Sequence, residues 1–275
     1  APNAAKLGIT FEHDAKNAPL ELTGELKVAG EKAVPGITAK LNTVAFIRGE
    51  YVVASKYDFW FLNPDLTTKF HAAMDPWFSA NVLDLVGVTP LNDDAYVLMG
   101  SNKSILRIRQ NPQADDVKGW ANFTAGRDHV EAVGGFGRAR IGTERAKMFY
   151  IHSSATDGRY IYTATVPDNK NKKTFVISKA LQSDWVLSGE FTPAAPMLKK
   201  DRSLGELYVT GMVWEDGKLY AVSKNWNVLI TIDVANESVE SVLGLPAGLT
   251  DIRGLVKKGD TFEVLDANRI VTLTK

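Results

Sequence analysis

The sequence predicts an all-β fold: a five-bladed β-propeller of four-stranded antiparallel blades, its ring closed by an N-terminal strand. Three observations carry this. A degenerate motif of strand, tight polar turn and strand recurs five times, with starts near residues 41, 84, 147, 208 and 251. Two of the four spacings are 43 residues, inside the roughly 40 to 50 residues of a four-stranded blade. The last copy is one strand short, while the N-terminus holds an unclaimed strand pattern.

The clearest copy spans 207–238, LYVTGMVWEDGKLYAVSKNWNVLITIDVANES, in which Asp216-Gly217 supplies the positive backbone angles of a two-residue hairpin turn. The copy at 41–68 repeats Ser223-Lys224 as Ser55-Lys56 before a strand that ends at Asn63-Pro64-Asp65. A third copy, from Met148, carries Asp157-Gly158 at its first hairpin, and weaker copies begin at Leu85 and Asp251. Blades are therefore expected near 41–73, 84–126, 147–193, 207–246 and 251–275, in a single domain covering 1–275. The two longer spacings, 63 and 61, place loop insertions at 126–146 and 193–205.

The final copy has room for three strands only. Upstream, Leu20, Leu22, Leu26 and Val28 fall on one face of an extended segment, with Glu21, Thr23, Glu25 and Lys27 on the other, which is period-two alternation. Residues 20–28 are the expected closing strand, and pairing the two chain ends in one sheet removes an edge open to aggregation.

Composition narrows the function. The chain has 275 residues, 45% of them apolar, with 32 basic against 32 acidic side chains. This is ordinary globular material without the excess positive charge that nucleic acid demands, so no nucleic-acid partner is expected. The longest run free of charged residues is 10, at 241–250, against about 18 or more for a spanning helix, so no membrane span is expected in this chain. With no cysteine it cannot form a disulfide, bind zinc through thiolate or exchange thiols. The first residue is Ala1 rather than Met, consistent with a removed leader or a longer N-terminal region and with export.

Signatures of chemistry are sparse. His13, His71, His129 and His152 lie at no metal-ligand spacing, and neither a metal nor a cofactor is expected. His71 and His152 read as hydrogen-bonded structural histidines. Gly134-Gly135-Phe136-Gly137 lacks the pattern of a dinucleotide fingerprint and reads as a loop. There is no Gly-x-Ser-x-Gly nucleophile elbow.

Propeller geometry nevertheless locates a site. The loops between blades, and those joining the second and third strands of each blade, gather on one face. That face is expected to carry Arg127, His129, Arg138 and Arg145 of the first insertion, Arg202 of the second, Trp77 between the first two blades, and Trp226 exposed in a turn. Trp60, Trp185 and Trp214 fall in strands and are expected between blades. Asp84, Glu206 and Asp251, each near the start of an inner strand, offer an alternative site of convergent carboxylates, the chemistry of glycoside hydrolysis.

Two stretches, RAKMFYIHSSATDGRYIYTATVPDNKNKKTFVISK and SLGELYVTGMVWEDGKLYAVSKNWNVLITID, resemble the C-terminal periplasmic propeller of bacterial DsbI-type disulfide bond formation proteins. The similarity is one of blade pattern over residues 41–275 and includes no catalytic motif. In that family a DsbB-like membrane portion holds the redox cysteines and the propeller follows it. The resemblance implies that this chain is the non-catalytic accessory part of a protein-disulfide oxidoreductase. It would lie in the periplasm, tethered to the inner membrane through a preceding region, with the membrane portion or its substrate proteins as partner. A free-standing ligand- or carbohydrate-binding propeller, and a glycoside-processing enzyme, are the alternatives.

Overall fold

The computed structural model describes residues 11–12, 14–73, 84–90, 95–109, 130–132, 150–167, 175–183 and 187–275. They form β-strands and two single helical turns, Ala15–Asn17 and Leu204–Glu206. No helix among the described residues is long and apolar enough to cross a membrane.

The first two strands, β1 (Gly24–Glu25) and β2 (Lys27–Ala33), join sheets built much later in the chain. The next four, β3 (Thr43–Ile47), β4 (Glu50–Ala54), β5 (Asp58–Leu62) and β6 (Thr68–Ala73), pair consecutively into one antiparallel sheet. A second sheet is β7 (Leu85–Pro90), β8 (Ala95–Gly100), β9 (Ile105–Arg109) and β10 (Val130–Ala132); a third is β11 (Ile151–Thr156), β12 (Tyr160–Thr165), β13 (Ile177–Leu181) and β14 (Leu187–Phe191). β15 (Val209–Glu215), β16 (Lys218–Ser223), β17 (Val228–Asp233) and β18 (Ser238–Gly244) form the fourth, and β1 adds to β18 in parallel. β19 (Ile252–Lys258), β20 (Thr261–Asp266) and β21 (Arg269–Thr274) form the fifth, with β2 antiparallel to β21.

The first strands contact one another in sequence, β3 to β7, β7 to β11, β11 to β15, β15 to β19, and β19 back to β3. Apolar layers fill the wedges between neighbouring sheets. Phe59, Phe61 and Phe70 meet Tyr96 and Leu98; Val97 and Met99 meet Ile151 and Ile161; Tyr162 and Phe175 meet Leu207 and Val209. Leu229 and Leu243 meet Phe262 and Val264, and Leu265 and Ile270 meet Val44 and Trp60. The alternation of β5 explains one such wedge. Phe59 and Phe61 lie two residues apart on one face, in edge-to-face contact at 6.3 Å, and Phe61 meets Tyr96 of the next sheet at 5.3 Å. The whole is a β-propeller arrangement.

The repeat is visible in the hydrogen bonds as well. In four sheets the turn between the second and third strands donates a backbone N–H to the carbonyl just before the first strand: Ser101 to Asp84, Val166 to Tyr150, Lys224 to Tyr208 and Ala267 to Asp251. The first hairpins follow the turn chemistry of the sequence, Asp216 and Gly217 both taking positive φ, 48° and 80°.

Two expectations need correction. The strand that pairs with the last sheet is Lys27–Ala33, not 20–28; of the expected segment only 27–28 take part. The chain bends near Leu26, so residues 20–26 dock instead on the fourth sheet. There the Thr23 amide donates to the Val242 carbonyl and the Leu26 amide to that of Gly244. The period-two pattern thus serves two surfaces: Leu20 and Leu26 are buried, whereas Val28, on the outer edge, is 50% exposed. Next, Val130–Ala132 pairs with β9 as an outer strand, inside the stretch expected to be a loop. The expected 193–205 insertion is a loop, and it is packed rather than isolated. The Glu21 amide donates to Met197, the Lys199 amide donates to Pro19, and Leu20 bridges to Leu198, so this loop and the N-terminal strap hold each other against the fourth sheet.

Candidate functional site

The first strands start on one face of the propeller, and four of them carry a register shift within their opening residues: Leu85/Gly87, Ile151/Ser154, Val209/Gly211 and Ile252/Leu255. A bulge inserts a residue without a ladder partner and re-aims its side chain. The same sequence step recurs there, an apolar residue, a variable residue and a small one: Leu85-Val86-Gly87, Val209-Thr210-Gly211, Ile252-Arg253-Gly254. Glycine is required by crowding. A Cβ on Gly211 would collide with the backbone of Gly254, and one on Gly254, at φ 105°, would stand 2.6 Å from the Val44 amide nitrogen. Glycine thus makes a narrow waist where the first strands meet; of the residues before it, Val86 packs into the apolar cluster with Val97 and Met99, whereas Thr210 and Arg253 make polar contacts across it.

Members of this set from remote parts of the chain meet. Arg253 Nη1 donates to Asn42 Oδ1 at 2.7 Å, Asn42 Nδ2 donates to the Leu85 carbonyl at 3.2 Å, and the Thr210 hydroxyl donates to the Ile252 carbonyl at 2.6 Å. His152 Nε2 donates to the Asn42 carbonyl at 3.1 Å, which leaves Nδ1 as a lone-pair acceptor. Asp251 gathers three cations: Arg253 Nε at 2.9 Å, Lys224 Nζ at 3.3 Å and Lys40 Nζ at 3.4 Å. The Tyr208 ring lies edge-on to His152 at 6.1 Å.

The electrostatics follow from this crowding. Burial pushes the His152 imidazole down to about 3, and the charges of Arg253 and Lys224 add to the effect, so the ring is neutral throughout the physiological range. Burial lowers Lys224 too, reinforced by Arg253 and opposed by Asp251. For Asp251 burial acts upward, but the hydrogen bond and charge of Arg253, with Lys224 and Lys40, outweigh it and hold the carboxyl below the usual range. Burial raises the Tyr208 phenol, opposed by Arg253 and reinforced by Asp84.

Of the residues expected on the binding face, Trp77, Arg127, His129, Arg138 and Arg145 lie outside the described residues, as does Trp185. Arg202 is tied down by a 2.6 Å bond from Nη2 to Glu206 Oε2 within its own loop. Trp226 is a correction: it is fully buried, because Ala15, Ala18 and Leu20 of the strap pack in its cluster and the Glu12 amide caps the neighbouring Asn225 carbonyl. Trp60 packs between sheets and stacks on His71 at 4.7 Å; His71 Nε2 in turn bonds Asp58 at 2.8 Å. Trp214 is half-buried at the channel.

The carboxylate trio does not form a working pair of acids. Asp251 is held ionised by three cations, Glu206 is engaged by Arg202, and Asp84 makes no ion pair among the described residues. The residues that do converge, Asn42, His152, Lys224 and Arg253, were not singled out as binding residues from sequence. The recurring step of an apolar, a variable and a small residue, Leu41-Asn42-Thr43, Ile151-His152-Ser153 and Ile252-Arg253-Gly254, would have found three of them; Lys224, in the turn between β16 and β17, carries no such signal.

Below the waist the first strands enclose a cavity of about 210 Å³, bordered by Thr43, Thr89, Ser153 and Ser154, with Phe46 and Trp214 among its lining residues. Among the described residues no group of three His, Asp or Glu side chains is placed to hold a metal ion.

No protein-family model and no curated protein matches the sequence. Among solved structures, the glutaminyl cyclase of Myxococcus xanthus is similar in fold, with a TM-score of 0.60 over 90% of this chain and 95% of that one at 10% identity. The WD40 propeller domain of Doa1 aligns with a TM-score of 0.45 over 84% of this chain and 62% of that one, also at 10% identity. At 10% identity the cyclase likeness shows a shared propeller fold and nothing more.

Proposed function

We propose that this chain is a non-catalytic interaction domain: a five-bladed propeller, completed where Lys27–Ala33 pairs with β21, that receives a protein partner at the mouth of its channel. Following the resemblance in blade pattern, the partner is the membrane portion of a DsbI-type disulfide oxidoreductase or its substrate proteins, in the periplasm. The observation that carries the interaction reading is the gathering of Lys40, Lys224, Asp251 and Arg253 with Asn42 and His152 at one rim, from segments up to 213 residues apart in sequence. A cluster of partly exposed charges on a rigid β scaffold is a surface for recognition. The absence of cysteine supports a role beside redox chemistry rather than within it.

Glycoside processing loses support here, because a general acid needs a raised pKa and that of Asp251 is lowered. The test is made in cells carrying the full-length protein. Lys224→Gln with Lys40→Gln should slow oxidation of exported thiol substrates while leaving protein abundance unchanged; unaltered oxidation overturns the association. The purified chain is also incubated with a peptide that begins with glutamine. Formation of a pyroglutamyl terminus, the activity named for the Myxococcus protein, would replace the non-catalytic reading.

A further inference from the structure

Among the described residues, the mouth cluster has more positive charge than its carboxylates neutralise. Lys40, Lys224 and Arg253 bring three positive charges, while Asp251 and Asp84 bring two negative ones. Asp84 makes no ion pair among the described residues, although its charge reaches the Tyr208 hydroxyl. Both lysine ammoniums stand 3.3 to 3.4 Å from Asp251, an ion pair that engages one of the three donors of each, so further donors are not used up. Arg253 commits Nε to Asp251 and Nη1 to Asn42, which leaves Nη2 without a hydrogen bond among the described residues. The Tyr208 hydroxyl has no hydrogen bond there either.

We infer that the mouth binds a single carboxylate of an acidic partner peptide, held by Arg253 Nη2 and the Lys224 ammonium, with Lys40 at the exposed rim. The inference rests on the mouth being the recognition surface and names what it takes. One negative charge balances the cluster of described residues. A doubly charged phosphate would overshoot and meet the repulsion of Asp84 and Asp251. Neutral His152 adds no charge and fixes the rim through Asn42. Lys224, whose charged form is disfavoured by burial and by Arg253, gains a second counter-ion when the site fills.

The test uses the purified chain and three blocked peptides: acetyl-trialanine with a free C-terminal carboxylate, the same peptide as its amide, and an acetylated, amidated peptide with one internal aspartate. Binding is read from the ring signals of His152 by NMR. The free acid or the aspartyl peptide should bind about tenfold or more tightly than the neutral amide, and the better of the two identifies the source of the carboxylate. Lys224→Gln should weaken that binding by about tenfold, and the exposed Lys40→Gln by a few-fold. Equal binding of acid and amide, tighter binding of inorganic phosphate, or an unaltered affinity in Lys224→Gln would overturn the inference. The two levels separate cleanly. If the cellular assay responds to mouth substitutions while acid and amide bind alike, the interaction role stands and the carboxylate falls. Discrimination among peptides beside an unresponsive cellular assay has the opposite meaning.

Discussion

Arg253 Nη1 donates a 2.7 Å hydrogen bond to Asn42 Oδ1 across 211 residues of chain, tying the strand that opens the last sheet to the residue that precedes the first. Asn42 also donates to the Leu85 carbonyl and accepts from His152 through its own carbonyl, so one amide side chain and its backbone join four sheets. Asn42→Ala strands the Arg253 and Leu85 partners in a buried setting. Its expected cost is roughly 1–3 kcal/mol, read as a lower midpoint in urea with an unchanged slope. A substitution that costs nothing would mean the rim is not held by this residue.

The waist predicts a second result. Gly211→Ala pushes a methyl into the Gly254 backbone, and Gly254→Ala adds the strain of φ 105° to a clash with Val44. Each should destabilise by about 1–3 kcal/mol or more, with Gly254→Ala the worse. Gly30→Ala, on the outer edge strand with open space around it, should stay within about 0.5 kcal/mol. Thermal melts of the three variants rank them.

Much of this architecture is legible in the sequence because blades repeat a local pattern. Alternation in Asp58–Leu62 puts Phe59 and Phe61 on one side, and Asp216-Gly217 announces a hairpin that the backbone angles match. Periodicity states which side of a strand is apolar but not which remote segment covers it. Trp226 looks like an exposed turn residue until the strap, more than 200 residues away, lies over it. The same limit hid the rim. His152, Arg253 and Asn42 are unremarkable singly, and only the packing of first strands from remote parts of the chain makes them neighbours.

The strap itself is testable. Leu20 is 1% exposed in the cluster that holds Trp226, so Leu20→Ala should cost about 2–5 kcal/mol and red-shift tryptophan emission as that cluster loosens. A loss below 0.5 kcal/mol would show that residues 14–26 are not docked on the fourth sheet.

Alkaline pH offers an independent probe. Lys103 is buried in the turn between β8 and β9, and burial lowers its pKa to about 8, opposed by the charge of Glu190. Between pH 8 and the ordinary lysine value near 10.5 the unfolded chain binds the proton that the folded chain has released. This group's contribution to stability therefore rises with pH across that window. Above about pH 10 the raised phenols of Tyr51 and Tyr208 act the other way. Lys103→Met should flatten the rise between pH 8 and 10, measured as urea midpoints in matched buffers.

The most direct measurement of the converging rim is the NMR titration of the His152 ring, assigned by comparison with His152→Gln. Its folded pKa, lowered to about 3, lies below the unfolded value near 6.5, so the unfolded chain takes up the proton first as pH falls, and stability drops between pH 6.5 and 3. The ring should remain neutral and protonated on Nε2 down to about pH 4, donating to Asn42. Titration near the ordinary value of 6.5, with stability flat over that range, would contradict the account: His152 would then lie in water, and the first strands would not meet at a common mouth.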